Sequence, residues 1–382
     1  MKLFYAACIA AIAFTACEDK ASLSSTADGD GTPVKIGFLV SGDRITYPNG
    51  AKIAVDEVNQ RGGLLDRSVE LVIQIDIQEA AAAVQAAETM ILTDEVVALV
   101  GPNRSSHAIE VGAVAQRHGV PMITTAATNP AVTAAGAFVF MAAFTDQFQG
   151  RVMAQFAKET LGVNTAAVLT QRGEVYSEGI AEFFTAHFSG FGGEIVAEEF
   201  YESGETDFAA QLTLIAAAAP EAVFLSGLPP EVALVTKQAR ALPLHNAAGE
   251  PTLFLGADAW DNPTLLDNEE AAVDGSFFSS HFSPDTDEPS ARAFVDTYQA
   301  LYGIVPTGGD AVSYDAVRLL LEAAARAGRL DADAIRQQLL ATEQYAGATR
   351  IAGYNENRHP TKSAVIMTIE DGAKKFYQQV DP

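Results

Sequence analysis

From Val34 onward, short apolar runs alternate with segments whose apolar residues recur every three or four positions. The run "VKIGFLV" (34–40) is almost continuously apolar, as a strand covered on both faces must be. The segment that follows, "GAKIAVDEVNQRGG", places Ala51, Ala54, Val55 and Val58 on one helical face and stops at Gly62-Gly63. The same alternation predicts strands at 69–75, 96–101 and 120–124, with helices around 79–93 and 106–118 between them. A second cycle begins after Gln149-Gly150. It predicts strands near 165–170, 194–199, 221–226 and 252–256 among helices near 147–161, 177–189, 207–219 and 231–241. Strand–helix alternation implies parallel sheets with helices on both faces, so the expected fold class is α/β with two similar lobes. Helices at about 290–302 and 311–327, and antiparallel strands in "SAVIMTI" and "KKFYQQV", complete the chain. Periodicity alone does not assign them to a lobe.

Ligands of open parallel sheets bind beyond the carboxyl ends of the strands, so the segments after each strand are where a site is expected. In the first lobe these are "SGDRITYPNG" (41–50), "GPNRSS" (101–106) and "TTAATNP" (124–130). In the second they are "QRGEVYSEG" (171–179), "SGLPPE" (226–231) and "GADAWDNP" (256–263). All are rich in Gly, Ser, Thr, Pro and charge, which suits a small polar ligand held between facing lobes. The small side chains of "TTAATNP" would let a ligand approach the backbone and the Thr128 hydroxyl. The plainer alternative is a strand-to-helix turn with Thr128 or Asn129 as helix cap.

Composition narrows the partners. The chain has 382 residues, enough for two cored domains, and 49 acidic against 24 basic residues give a net charge of -25. That charge disfavours nucleic acid and anionic membrane surfaces, which would repel it. The N-terminus carries an export pattern: Met1-Lys2, then an apolar stretch from Leu3 to Phe14 too short to span a bilayer. It ends in Phe14-Thr15-Ala16-Cys17, which resembles the bacterial lipobox, with Phe14 where that motif usually has Leu. The expectation is a signal peptide over 1–16, lipidation of Cys17 and a flexible tether over 17–33; an ordinary cleaved signal is the alternative. Cys8 would leave with the signal, so no disulfide is expected.

Nothing points to catalysis. The nucleophile-elbow, zinc-protease and phosphate-loop motifs are all missing, and the six histidines lack metal-ligand spacing. His107 is read as a polar residue at a helix start. Trp260 is open to two readings, closing over a ligand or packing in a core. No enzyme activity, cofactor or metal is expected.

The stretches "VKIGFLV…GAKIAVDEVNQRGGLLDRSVELVI", "VVALVGP", "GVPMITTAATNPAVT", "TDFAAQLTLIAAAAPEAVFLSGLPPEVALVTKQAR" and "ARAFVDTYQALYG" resemble the periplasmic leucine/isoleucine/valine-binding proteins of ABC uptake systems. The resemblance runs from about residue 34 along nearly the whole chain. It implies two Rossmann-like lobes of the periplasmic binding protein type I kind, joined by three crossovers with a ligand cleft between them. Lobe one would comprise 34–146 plus 280–345, and lobe two 147–279 plus 346–382.

The resemblance also assigns residues. Ser105 would bind a ligand carboxylate, Ala126 would offer a carbonyl to an ammonium, and Ala127 and Thr128 would continue that clamp, Thr128 through its N–H and hydroxyl. Asp258 would balance the ammonium, Tyr176 would line the cleft, and Tyr47 would lie at the pocket floor. The implied partners are a small amino acid or related carboxylate and an ABC permease in the inner membrane, for a periplasmic monomer held by a lipid on Cys17. A lipoprotein of the same fold acting as a sensor or enzyme activator through a protein partner is the alternative. Three features depart from the family pattern. The first loop is short, "SGLPPE" offers Leu228 and Pro229 where a second aromatic is usual, and Arg44, Arg104 and Arg172 fall in cleft loops. Each arginine by itself reads first as a solvated rim residue; of the three, Arg104, beside Ser105, is best placed to reach a second anionic group instead.

Overall fold

The computed structural model describes residues 31–42, 44–242, 244–262, 265–266 and 273–382; the expected signal peptide, Cys17 and most of the tether lie outside them. In lobe one, strands β1 (Val34–Ser41), β2 (Val69–Ile77), β3 (Ala98–Val100), β4 (Met122–Thr124) and β5 (Val139–Met141) form a parallel sheet in the order β2-β1-β3-β4-β5. The apolar run of β1 is divided between two cores. Ile36, Phe38 and Val40 pack on one face with helix α1 (Tyr47–Gln60), while Leu39 packs on the other with α2 (Ala80–Leu92) and α3 (Ser105–His118). A four-residue helix α4 (Ala131–Ala134) leads into β5.

Lobe two repeats the plan. Helix α5 (Asp146–Gln155), continued by a π-helical turn at Phe156–Thr160, precedes β6 (Thr165–Gln171), α6 (Val175–Gly190), β7 (Glu194–Tyr201), α7 (Ala209–Ala218), β8 (Ala222–Ser226), α8 (Glu231–Ala241), β9 (Leu253–Gly256) and β10 (Phe277–Ser280). The chain then returns to lobe one as α9 (Pro289–Tyr302), α10 (Gly308–Ala327) and α11 (Ala332–Leu340). The small strands β11 (Glu343–Ala346), β12 (Arg350–Tyr354) and β13 (Pro360–Thr361) form an antiparallel sheet of their own, and β14 (Ala364–Glu370) and β15 (Ala373–Val380) add antiparallel strands to lobe two. The parallel part of the second sheet runs β7-β6-β8-β9-β10, the same order relative to the chain as in the first. Strand β5, strand β10, α11 and the small sheet were not foreseen from periodicity, because each is short or carries no alternating pattern.

One expected boundary is corrected. Residues 346–361 were assigned to lobe two, yet Tyr345, Ala348 and Ile351 are buried in the lobe-one core. The reason lies at β5, the edge strand of the first sheet. The Tyr354 hydroxyl donates to the Met141 carbonyl (3.0 Å), and Arg358 Nε donates to that of Val139 (3.0 Å), so this segment covers an otherwise open edge. The last passage between lobes therefore occurs at Lys362-Ser363, immediately before β14.

The three crossovers touch one another. The rings of Phe144, in the first, and His281, in the second, have centroids 3.9 Å apart. Lys362, in the third, donates through Nζ to the carbonyl of Ala142 (3.1 Å) and to Thr349 Oγ1 (2.9 Å). Burial lowers the Lys362 pKa to about 8, opposed by Asp315. Asp315 is itself buried, and it accepts from the Tyr345 hydroxyl, both backbone N–H groups of Ala348 and Thr349, and the Thr349 hydroxyl.

Candidate functional site

Each sheet reverses its strand order at one place, between β1 and β3 in lobe one and between β6 and β8 in lobe two. At such a switch point the following loops diverge to opposite faces and leave a crevice. Here the two crevices face each other and form one cleft. After β1 it is lined by Ser41, Arg44 and Tyr47, after β3 by Asn103, Arg104 and Ser105, and after β4 by Ala126. The opposite wall comes from Glu174 and Tyr176 after β6, Leu228 and Pro229 after β8, and Asp258, Ala259 and Asp261 after β9.

The lobe-one wall is tightly set. Gly101 has φ +88°, and a Cβ there would stand 2.1 Å from the Leu39 carbonyl oxygen, so only glycine lets the end of β3 lie against β1. Asn103 then accepts from the backbone N–H of Ser41 (2.7 Å) and donates back to its carbonyl (3.2 Å). The Ser41 hydroxyl bonds His107 Nδ1 at 2.7 Å. Burial, with Arg104 close by, lowers the His107 pKa to about 4, so this ring is neutral and holds Ser41 in place. Tyr47 opens α1 and packs against Gly309 so closely that a Cβ there would come within 2.1 Å of its ring.

Ser105 is the first residue of α3, where unpaired N–H groups and the helix dipole favour an anion. Its hydroxyl oxygen accepts from the Asn129 N–H (3.2 Å) and so ties the 126–129 turn to that helix end. Among the described residues, no acceptor stands opposite the backbone N–H groups of Ala126, Ala127 and Thr128. Buried N–H groups are rarely left this way, so the turn is a ready donor surface.

The lobe-two wall centres on Asp258. Its Oδ1 accepts from Tyr176 OH (2.9 Å) and from Gln149 Nε2 (2.9 Å), and its Oδ2 lies 3.2 Å from His281 Nε2. Gln149 Oε1 in turn accepts from Ser279 Oγ (2.8 Å). Burial, and then the Asp258 charge, push the Tyr176 phenol well above its ordinary pKa, which keeps it a donor. Asp261 is committed elsewhere. Burial pushes its pKa up, but the Lys374 ammonium (3.0 Å) and bonds from the Gly308 N–H (2.7 Å) and Ser280 (2.8 Å) outweigh that and hold the carboxyl below its usual range. Between the walls, Ser106 Oγ donates to Glu174 Oε1 (3.2 Å) and Asn129 Nδ2 to the Val175 carbonyl (3.1 Å).

Of the residues expected in the site, Tyr47, Arg104, Ser105, Ala126, Tyr176 and Asp258 line this cleft. Two side chains from the 124–130 stretch do not. The Ala127 methyl is buried in the lobe-one core, as a residue following a central strand readily is. The Thr128 hydroxyl is fully buried beside the Asp146 carboxyl, whose charged form it favours, although neither it nor Asp146 Oδ2 completes a hydrogen bond of good geometry. Any part Ala127 and Thr128 play toward a ligand is therefore through their backbone. Arg172 points outward, stacked on Phe200 (4.6 Å) and 3.7 Å from Glu202. Trp260 is fully buried in the lobe-two core, its indole N–H on the Leu225 carbonyl (3.3 Å). Asn103, Gln149, Glu174 and His281 were not singled out from the chain. Asn103, in "GPNRSS", and Glu174, in "QRGEVYSEG", lie in strand-end loops; Gln149 and His281 do not.

The family model for periplasmic binding proteins matches residues 34–374. The chain belongs to the periplasmic binding protein family. Within it, a Leu/Ile/Val-binding protein of Rhizobium johnstonii is 30% identical over 328 residues, covering 85% of this chain and 86% of its own. Among solved structures, a leucine-binding protein of Thermotoga maritima superposes with a TM-score of 0.85 at 33% identity, covering 91% of this chain and 99% of its own. A branched-chain amino acid transporter substrate-binding protein of Streptococcus pneumoniae, in complex with isoleucine, gives 0.84 at 29%, covering 92% and 100%. This periplasmic binding protein thus has the α/β, two-lobed type I fold with three crossovers.

Proposed function

We propose that the protein is the extracytoplasmic solute-binding component of an ABC uptake system, which takes a small amino acid or related carboxylate into the interlobe cleft and delivers it to an inner-membrane permease. One observation carries this reading: the cleft sets a helix N-terminus and free backbone N–H groups on one wall against a buried carboxylate, Asp258, on the other. Donors opposite an acceptor-only group are what a zwitterion needs at its two ends. The names of the relatives, which bind leucine, isoleucine and valine, point the same way. Ser105 and the backbone N–H groups of Ala127 and Thr128 hold the carboxylate end, and the Ala126 carbonyl, with Asp258 and Tyr176, receives the ammonium. The protein acts as a monomer and catalyses no reaction.

The test is ligand-dependent stabilisation across amino acids and small carboxylates. A solute at 100-fold its Kd should add about 2.7 kcal/mol to stability. A panel with no compound that shifts melting would sink the reading and favour action through a protein partner. Anchoring is tested apart from this: Cys17→Ala should release the protein from the membrane fraction, because a surface this acidic has no affinity of its own for anionic lipid.

A further inference from the structure

Two arginines of the cleft are unexplained by a neutral amino acid. Arg44 and Arg104 both line it, and none of the ion pairs among the described residues includes either one. Arg44 Nη1 is shielded from solvent and has no hydrogen-bond partner. A guanidinium N–H in that position is strongly under-satisfied, since hydrogen bonds to charged groups are the costly ones to leave unmade. Arg104 lies over Gly42, where a Cβ would come 3.2 Å from its Nη2, and Arg44, two residues further on, is close enough to Tyr47 for its charge to act on that phenol, so both arginines serve the part of the cleft that follows β1. The acids nearby have partners of their own: Asp261 pairs with Lys374, Glu174 accepts one bond from Ser106, and Asp258 has three donors. The apolar lining from lobe two is Leu228, Pro229 and Ala259, none of them aromatic.

We infer that the ligand carries a second anionic group, so that the substrate class is the acidic amino acids, with the side-chain carboxylate held by the paired guanidinium groups of Arg44 and Arg104. This rests on the reading of the cleft as an amino-acid site. Guanidinium binds carboxylate through two parallel N–H donors, a geometry that neither an amide nor an alkyl side chain can satisfy. Leaving both forks unpaired around a leucine side chain would bury charge against hydrocarbon, which selects against such ligands.

Calorimetric titration of the purified protein, freed of bound solute, compares L-glutamate and L-aspartate with L-glutamine, L-asparagine and L-leucine. The acidic ligand should bind at least tenfold more tightly than its own amide and than leucine. Arg44→Gln and Arg104→Gln should each weaken the acidic ligand by tenfold to a hundredfold and the amide by less than threefold, and Arg44→Lys should recover part of the loss. Tighter binding of leucine, or equal losses for acid and amide in both arginine variants, would overturn the inference while leaving an amino-acid receptor in place. If no amino acid binds the unaltered protein, the inference and the receptor reading fall together. The unaltered protein's ranking of acid over amide stands as evidence even if one variant fails to fold.

Discussion

His281 Nε2 lies 3.2 Å from Asp258 Oδ2, and both side chains are almost wholly buried. The first belongs to a crossover between lobes and the second to the cleft wall, so the proposed ammonium site and the hinge share one contact. Burial lowers the His281 pKa, helped by Lys362 and opposed by Asp258 and Asp261. At neutral pH the ring is therefore uncharged, and Asp258 is free to balance a ligand ammonium. Protonating the ring would supply Asp258 with a competing cation. Affinity for an amino acid should accordingly fall by about threefold to tenfold once pH is lowered far enough to charge the ring, below the range of an ordinary imidazole. His281→Gln, which keeps a donor, should flatten that dependence in calorimetric titrations at stepped pH. Stability has the same sign: the unfolded ring binds protons first, so stability falls as pH drops below about 6.5 and the loss is complete under the folded pKa.

Asp258→Asn tests the other half of this pair. The amide keeps the shape and removes the counter-charge, so amino acids should lose about tenfold to a hundredfold in affinity, equivalent to about 1.5–3 kcal/mol. A carboxylate lacking an ammonium group should lose less than threefold. Equal losses for the two ligands would remove Asp258 from the ammonium site.

Asp146 is a liability that a conservative change should relieve. It opens α5 with no exposed surface, and burial raises its pKa to about 8 in spite of the Thr128 hydroxyl beside it and a bond from Gln149. A raised folded pKa gives stability that is fully present below about pH 4 and is lost as pH rises through about 8. Asp146→Asn should therefore raise Tm at pH 7 by several degrees, on the order of 1–3 kcal/mol, and gain little at pH 4. Melting curves at both pH values check this. Thr128→Val, which removes a hydroxyl that steadies the Asp146 charge without reaching the cleft, should leave ligand affinity within about threefold.

Lys362→Met should lower Tm, because it leaves Asp315 buried without its cation and frees the Ala142 carbonyl in the first crossover. A loss of about 1–3 kcal/mol is expected, held down by the four donors that still reach Asp315. Adding Asp315→Asn should restore part of it. Paired melting curves would expose the coupling, and strictly additive losses would deny it.

How far the chain disclosed its site depends on where each residue's signal lies. The strand-end loops were legible because an apolar run stopping at Gly, Ser or Thr marks a parallel strand's end without any tertiary information. Ser105 and Asp258 lie in those loops, but the family resemblance and not the pattern is what picks them out. His281 was marked by neither, since its partners are Asp258 and Phe144, 23 and 137 positions away, and no local pattern encodes a contact of that span. The 346–361 segment was misassigned for a related reason. Its cover is the edge of β5, a three-residue strand too short to show periodicity. Thr128 fitted a ligand clamp by composition, but its rotamer turns toward Asp146, and side-chain direction after a strand end is settled by packing rather than by residue type.

The two walls of the cleft carry opposite electrical character. Arg44, Arg104 and the start of α3 belong to lobe one; Asp258 and Glu174 belong to lobe two. The lobes are thus like two plates of unlike polarity, and a dipolar solute between them has a preferred direction before either plate closes on it. A molecule entering head-to-tail reversed would meet like charge at both ends, where the cost of each unpaired group is greatest once water is expelled. On the proposed reading, the order of charge from one lobe to the other thus sets a ligand's orientation before the cleft closes.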